Sequence, residues 1–378
     1  YLPRRILLLI GCLARAAAEK HSITRLWKQS SRLIARSVTQ NAGDHGEHYI
    51  TRDKKEYWAM FYSAAGGGVL IALMALFKIY LGSIIDDKVW KGIAEGLNYG
   101  LGFMVIFMLH FTVATKQPAM TAARFAEAVE KTPQGKTVNM KLAQLLVDVF
   151  RSQSIAVLGN VLIAMGLAAL IAFGYQYKTG EPLMNADQIA YQLHSIDPFA
   201  GTLWFAAIAG VWLFCSGIIS GYFDNRSNYL NMRMRLTQHP LLKKIMSEKS
   251  RVKFANYIHE NYGSLIGNLC FGMLLGITGV VGYLTHLPLD IRHVAFSSAN
   301  VGYIAVSGQF TYSLLLQCIG FVLLIGLVNL IVSFSLTLWV ALRSLNAEID
   351  SWWPIWHEVC QIVKKRPLSL FLPVQLDK

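Results

Sequence analysis

Ionisable and amide side chains set inside oily stretches are the groups of this chain best suited to chemistry. Glu95, in "AEGLNYGLG", is the carboxylate nearest the interior of a long apolar run. Burying its charge is costly, which makes it a candidate ligand-binding or pathway group; the plain alternative is that it reaches water at an interface. Asn160, Asn268 and Asn329 pose a similar choice. An amide in an apolar helix either bonds a neighbouring helix, where lipid offers no partner, or lines a polar route. Two further sets lie where apolar runs end. "HFTVATKQPAM" supplies His110, Lys116 and Gln117, and "FDNRSNYLNMRMRLTQHPLL" supplies Asp224, Arg226 and Arg233. Should these converge on one mouth, Lys116, Arg226 and Arg233 would hold an anionic headgroup or substrate, because guanidinium forks match phosphate and carboxylate. Otherwise they anchor helix ends and Asp224 pairs with a nearby arginine.

Catalytic signatures are missing from the sequence. There is no phosphate-cradling glycine loop, no G-x-S-x-G elbow and no kinase motif, so no catalytic residue is expected. "DHGEHY" brings His45, Glu47 and His48 together, but it lacks the helical H-E-x-x-H spacing of a metalloprotease, and no metal or cofactor is expected. The five cysteines stand singly and read as small apolar residues.

The elements that must position these groups are legible from composition. Of the 378 residues 54% are apolar and 15% charged, against roughly 25% charged in soluble domains. Six stretches, near 57–85, 89–114, 153–175, 199–223, 263–285 and 313–342, exceed the length needed to cross about 30 Å of hydrocarbon. Prolines such as Pro118, Pro198, Pro288 and Pro354 fall outside them or at their margins, where a missing amide donor costs least. The net charge of +13 is distributed by loop. Lys88, Lys91, Lys178 and Arg292 are the basic residues of the first, third and fifth loops, and Lys78 is inside a span. The other thirty of the 35 lie in the N-terminal segment, the second and fourth loops and the tail. That alternation predicts cytoplasmic termini and contact with anionic lipid, and specific nucleic-acid binding is not expected.

"GNVLIAMGLAALIAFGY" at 159–175 returns as "GNLCFGMLLGITGVVGY" at 267–283, with a weaker third copy at 67–80. The expectation is an all-α polytopic membrane bundle of about six transmembrane helices, arranged as three pseudo-repeated hairpins of like orientation. A basic helical segment (1–56) precedes this domain (57–343), and a tail (344–378) with Trp352, Trp353 and Trp356 ahead of Lys364, Lys365 and Arg366 follows as an interfacial helix. Basic helix-forming residues through 1–40 fit a bundle helix or one lying on the bilayer.

"GEHYITRD", "HFTVATKQPAMTAA" and "NYLNMRMRLTQHPLL" together resemble the membrane-embedded C-terminal part of a bacterial family called site-specific recombinase, Gcr-like. The resemblance implies a bacterial inner-membrane protein with a longer helical region ahead of residue 1, and it carries no catalytic residue set. Its name would imply DNA strand exchange. A tyrosine recombinase resembles R…H-x-x-R…Y, and here no His is followed by Arg three residues later. The function expected is therefore a transporter or channel-like protein for an anionic or amphipathic solute or lipid. The alternative is a membrane scaffold docking a cytoplasmic protein or the preceding region of its own chain.

Overall fold

The computed structural model describes residues 50–51, 53–114, 117–130, 136–307, 310–345 and 351–373, together with the isolated residues 6 and 349. All its regular elements are helical. In chain order these are α1 (Lys54–Ile84), α2 (Lys88–Met108), α3 (Gln117–Glu130), α4 (Lys136–Thr179), α5 (Ala186–Ile196), α6 (Thr202–Tyr229), α7 (Met232–Gln238), α8 (Pro240–Ile245), α9 (Glu248–Thr285), α10 (Val294–Ala305), α11 (Tyr312–Leu345) and α12 (Trp353–Lys365). Most of the basic segment, the "DHGEHY" turn and Lys116 fall outside the described residues; most of the tail lies inside them.

Local chemistry sets the helix ends. Asp53 accepts from the Glu56 amide at 2.7 Å to open α1, and Asp87 accepts from Val89 and Trp90 at 2.9 Å to open α2. Asn185 and Gln188 form a reciprocal capping box at the start of α5. Five helices, α1, α4, α6, α9 and α11, are long and apolar enough to cross a membrane, and between 28% and 50% of the apolar window of each is buried inside the bundle. The rest of each window faces outward, with Leu73, Leu162, Leu170, Phe173, Leu316, Leu327 and Ile331 among its exposed side chains. α2, with 21 residues, would span about 31 Å, and it carries Lys88, Lys91 and Glu95. It is the sixth expected span. The long helices overrun their expected limits where charged ends continue the helix, most of all in α4 and α9.

Contacts fix the directions. α1 and α2 form an antiparallel hairpin, α2 runs antiparallel to α9, and α9 runs antiparallel to α6, from Trp212 against Thr278 to Ser227 against His259. α1 lies parallel to α4, and α6 parallel to α11. Directions alternate along the chain, so the three successive pairs all point one way. The Gly-Asn copies nonetheless make different contacts: Asn160 bonds across elements, whereas Asn268 donates to Ser264 O on its own helix at 2.7 Å.

The environment that does match Asn160 is that of Asn329. Asn160 Nδ2 donates to Ala64 O and Thr112 O, and its Oδ1 accepts from Ala114 N. Asn329 Nδ2 donates to Ala206 O and Arg292 O, and its Oδ1 accepts from Val294 N. A fourth pair completes the match: Thr112 N donates to Ser63 O at 3.2 Å, and Arg292 N to Phe205 O at 3.3 Å. Beneath each amide a glycine allows close helix approach. A Cβ on Gly68 would sit 2.9 Å from Asn160 O, and one on Gly210 would sit 3.1 Å from Asn329 O. Short sequence patterns follow the same pairing, A-A-x-x-G-V at 64–69 and 206–211, and G-x-x-x-G-x-x-x-x-x-G at 92–102 and 272–282. α2 and α9 meet through those glycines: a Cβ on Gly276 would overlap the backbone of Gly96, one on Gly272 that of Gly100, and one on Gly92 the side chain of Val280.

One element has no counterpart in the expected topology. Residues 286–312 read as a loop between spans, yet they contain α10, whose side chains are almost all buried against α4, α11, α1 and α5. Its hydropathy is high enough to be buried, but twelve residues cannot cross a bilayer. The corresponding short helix α3 packs on α11.

Candidate functional site

At the end of the bundle bearing the α1–α2 turn lies a cleft of about 470 Å³, walled by α1, α2, α5, the stretch before α10, and α10 itself. Its charged lining residues are Lys78, Lys91, Glu95, Asp187, Asp290 and Arg292, three of each sign. Two ion pairs organise them. Lys78 Nζ stands 3.4 Å from Glu95 Oε2, and Arg292 Nη1 stands 2.6 Å from Asp290 Oδ2.

The antiparallel α1–α2 hairpin places Lys78 against Glu95, because the turn at residues 85–87 sets their register. Glu95 is one residue from Gly96, where α2 touches α9. Beside the pair, Tyr99 is 1% exposed, lies 5.7 Å below the Lys78 ammonium and packs on Phe296 with ring centroids 4.4 Å apart. Arg292 is held differently. Its backbone belongs to the Asn329 clamp, and its side chain donates from Nε to Ser195 O at 2.8 Å and from Nη1 to Ile291 O at 2.7 Å. The guanidinium lies 5.3 Å from the Phe205 ring centroid. The next residue, His293, is buried among Phe103, Phe271 and Phe296, at centroid distances of 6.1, 5.9 and 5.7 Å. Ser297 and Asn300 bring α10 into the wall, and Asn185, Gln188 and Tyr191 bring α5 to the rim.

Of the residues expected from sequence, Glu95 is the one in this cleft. Asn160 and Asn329 are 1% and 0% exposed and serve as clamps between elements, and neither lines the cleft. Asn268 is bonded within its own helix. His110 adopts a left-handed conformation, φ 58°, after the end of α2, and its carbonyl accepts from Ser63 Oγ at 3.1 Å. Gln117 is the first residue of α3. Asp224 Oδ1 accepts from Gly263 N at 2.8 Å, an interhelical contact. Arg226 and Arg233 are exposed at the end of α6 and on α7. The structure brings none of these to the cleft. Lys78, Tyr99, Asp290, Arg292 and His293 were not singled out from sequence. A lysine seventeen positions before a glutamate across a tight hairpin was the readable signal; nothing local marked Arg292.

The cleft combines paired charges with an aromatic floor, and among the described residues no group of three His, Cys, Asp or Glu is placed to hold a metal. Its one lining arginine is already bonded to a carboxylate and two carbonyls. Such an arrangement is suited to polar groups, and its hydroxyls are not set among convergent arginines, since one arginine lines the cleft. Comparisons with curated proteins and with solved structures gave no match. Residues 3–373 match the model of the family described as site-specific recombinase, and the chain belongs to that family.

Proposed function

We propose that the protein is a multi-pass transporter of the bacterial inner membrane, with cytoplasmic termini, built from two inverted three-helix halves that carry a polar solute through the cleft. The halves are α1, α2 and α4, with α3, and α6, α9 and α11, with α10. Four matched hydrogen bonds relate them while their helices run in opposite directions, which is the geometry of an inverted repeat about an axis in the membrane plane. The axis passes where Gly96 meets Gly276, the contact that maps onto itself. Outward-facing apolar side chains on five long helices support insertion in lipid, and the loop-by-loop basic asymmetry supports the orientation.

One observation carries the reading: the Lys78–Glu95 pair stands in an open cleft one residue from that axis. Inverted-repeat transporters place solute sites at the repeat interface, and a partly exposed ion pair within a span needs water or a ligand beside it. Exposed Arg226, Arg233 and Arg235 at the opposite end suit anionic headgroups. Strand exchange, which the family's description names, is not proposed, since the cleft holds no nucleophile among convergent arginines and duplex DNA does not enter hydrocarbon.

The test is accessibility. In a cysteine-free background, Asn300→Cys and Leu170→Cys are treated in intact cells with a membrane-impermeant maleimide. Asn300→Cys is expected to react from outside the cell while Leu170→Cys, facing lipid, does not. Lack of reaction at Asn300→Cys both in intact cells and in inside-out vesicles, with the protein present and folded, would refute a hydrated path.

A further inference from the structure

The two ion pairs of the cleft are of opposite polarity, and from that we infer the class of solute: a compact zwitterion, carrying an ammonium and a carboxylate or phosphate. In the first pair the cation is the accessible member, Lys78 being 36% exposed and Glu95 13%. In the second the anion is accessible, Asp290 being 36% exposed and Arg292 13%. The deep partners are fixed. Glu95 sits beside the α2–α9 contact, and Arg292 is tied to Ser195 O and Ile291 O. Each pair therefore turns a different sign toward incoming solute, and Lys91 and Asp187 add one further group of each sign to the lining.

A solute with a single charge engages one of these groups and leaves the other with its own ion-pair partner, so it gains one charge-assisted contact where a molecule bearing both charges gains two. A molecule bearing both charges satisfies Lys78 with its anion and Asp290 with its cation, each through a charge-assisted hydrogen bond. The equal number of positive and negative lining groups gives the cleft no formal net charge to favour an ion of either sign. Tyr99 and Phe296 supply an apolar floor for a short carbon chain between the charged ends. This rests on the transport reading, which it sharpens.

The same chemistry is found in free ω-amino acids and in ethanolamine phosphate headgroups. Full-length protein is reconstituted in nanodiscs of phosphatidylglycerol alone or with phosphatidylethanolamine. Binding is read by thermal shift for ω-amino acids of one to five methylenes and for phosphoethanolamine, against butylamine, butyrate and inorganic phosphate. Expected is a zwitterion that binds about tenfold or more tightly than its singly charged analogues in phosphatidylglycerol discs, with an optimum chain length. Loss of that binding on adding phosphatidylethanolamine identifies the lipid headgroup as ligand; persistence identifies a free solute. Asp290→Asn, at an accessible position, removes the preference over the simple acid. Lys78→Met removes the preference over the simple amine, and Lys78→Arg retains binding if the methionine variant fails to fold. Equal binding of singly charged analogues overturns the inference, as does absence of zwitterion binding in both lipids. Either result leaves the transport reading intact where Asn300→Cys is labelled, and both readings fall where it is not.

Discussion

Replacing Asn160 by alanine removes three hydrogen bonds that join α1, the segment after α2, and α4. The acceptors Ala64 O and Thr112 O and the donor Ala114 N all lie at a site 1% exposed, where water does not replace the lost partner. Side-chain bonds between membrane helices contribute roughly 0.6 kcal/mol each on average, and net bonds in proteins generally about 1 kcal/mol. With an unpaired amide left behind, Asn160→Ala should destabilise the fold by about 2–4 kcal/mol. Asn329→Ala, which removes the matched set, should cost a similar amount. Asn268→Ala loses a bond to Ser264 O within its own helix and leaves both clamps in place. Asn160→Asp tests the donor role, because it sets a second oxygen against two carbonyls and should be at least as damaging as alanine. Denaturant unfolding of purified protein in nanodiscs, with m-values checked for constancy, measures all four. If Asn329→Ala was mild where Asn160→Ala was severe, the pairing of residues 160 and 329 would be wrong, and the inverted halves with it.

Gly276→Ala places a methyl group into the Gly96 backbone and should separate α2 from α9, lowering thermal stability by many degrees, whereas Gly166→Ala has open space and should be neutral or stabilising by up to about 1 kcal/mol. Arg151 is 4% exposed and donates to Thr51 O and Asp148 Oδ1, and at 3.4 Å to Ser369 O. Arg151→Ala should cost about 3 kcal/mol and make the tail after α12 the first point of limited proteolysis. His286 ends α9 at φ 56°, so His286→Gly should raise stability by up to about 1 kcal/mol and His286→Val should lower it, both read by thermal melting.

Much of the fold was legible because lipid imposes a simple rule on sequence. The stretch 57–85 is long and apolar enough to cross a membrane, and the exposed leucines on α4 and α11 accord with that reading. α10 escaped because its apolar residues match the length of a loop segment, and burial among neighbouring helices, not hydropathy, gives it shape. The clamps escaped in part for a related reason. Asn160 and Asn268 share a Gly-Asn dipeptide and a run of apolar neighbours, but bonding depends on what faces the amide. Asn160 faces a segment of non-helical backbone with free donors and acceptors, and so does Asn329, while Asn268 faces the turn of its own helix. Local likeness pointed to one pairing, and three-dimensional contacts make another.

The cleft was harder to read than the fold because its charges come from four separate elements and each looks ordinary alone. Lys78 resembles a stray charge in a span, and Arg292 resembles an exposed loop residue. The proposed inverted repeat accounts for the place of Arg292. Arg292 occupies the place in the second half that Thr112 holds in the first, so its backbone is committed to the Asn329 clamp and its side chain is delivered into the cleft. Within each clamp the chain spends its polar backbone on structure and leaves one side chain over, a threonine hydroxyl bonded to Ser63 on one side and a guanidinium on the other. The halves thus share a scaffold and differ in chemistry. On the proposed transport reading that difference is where solute recognition enters, through Lys78 and Asp290, the more exposed members of the two ion pairs that line the cleft.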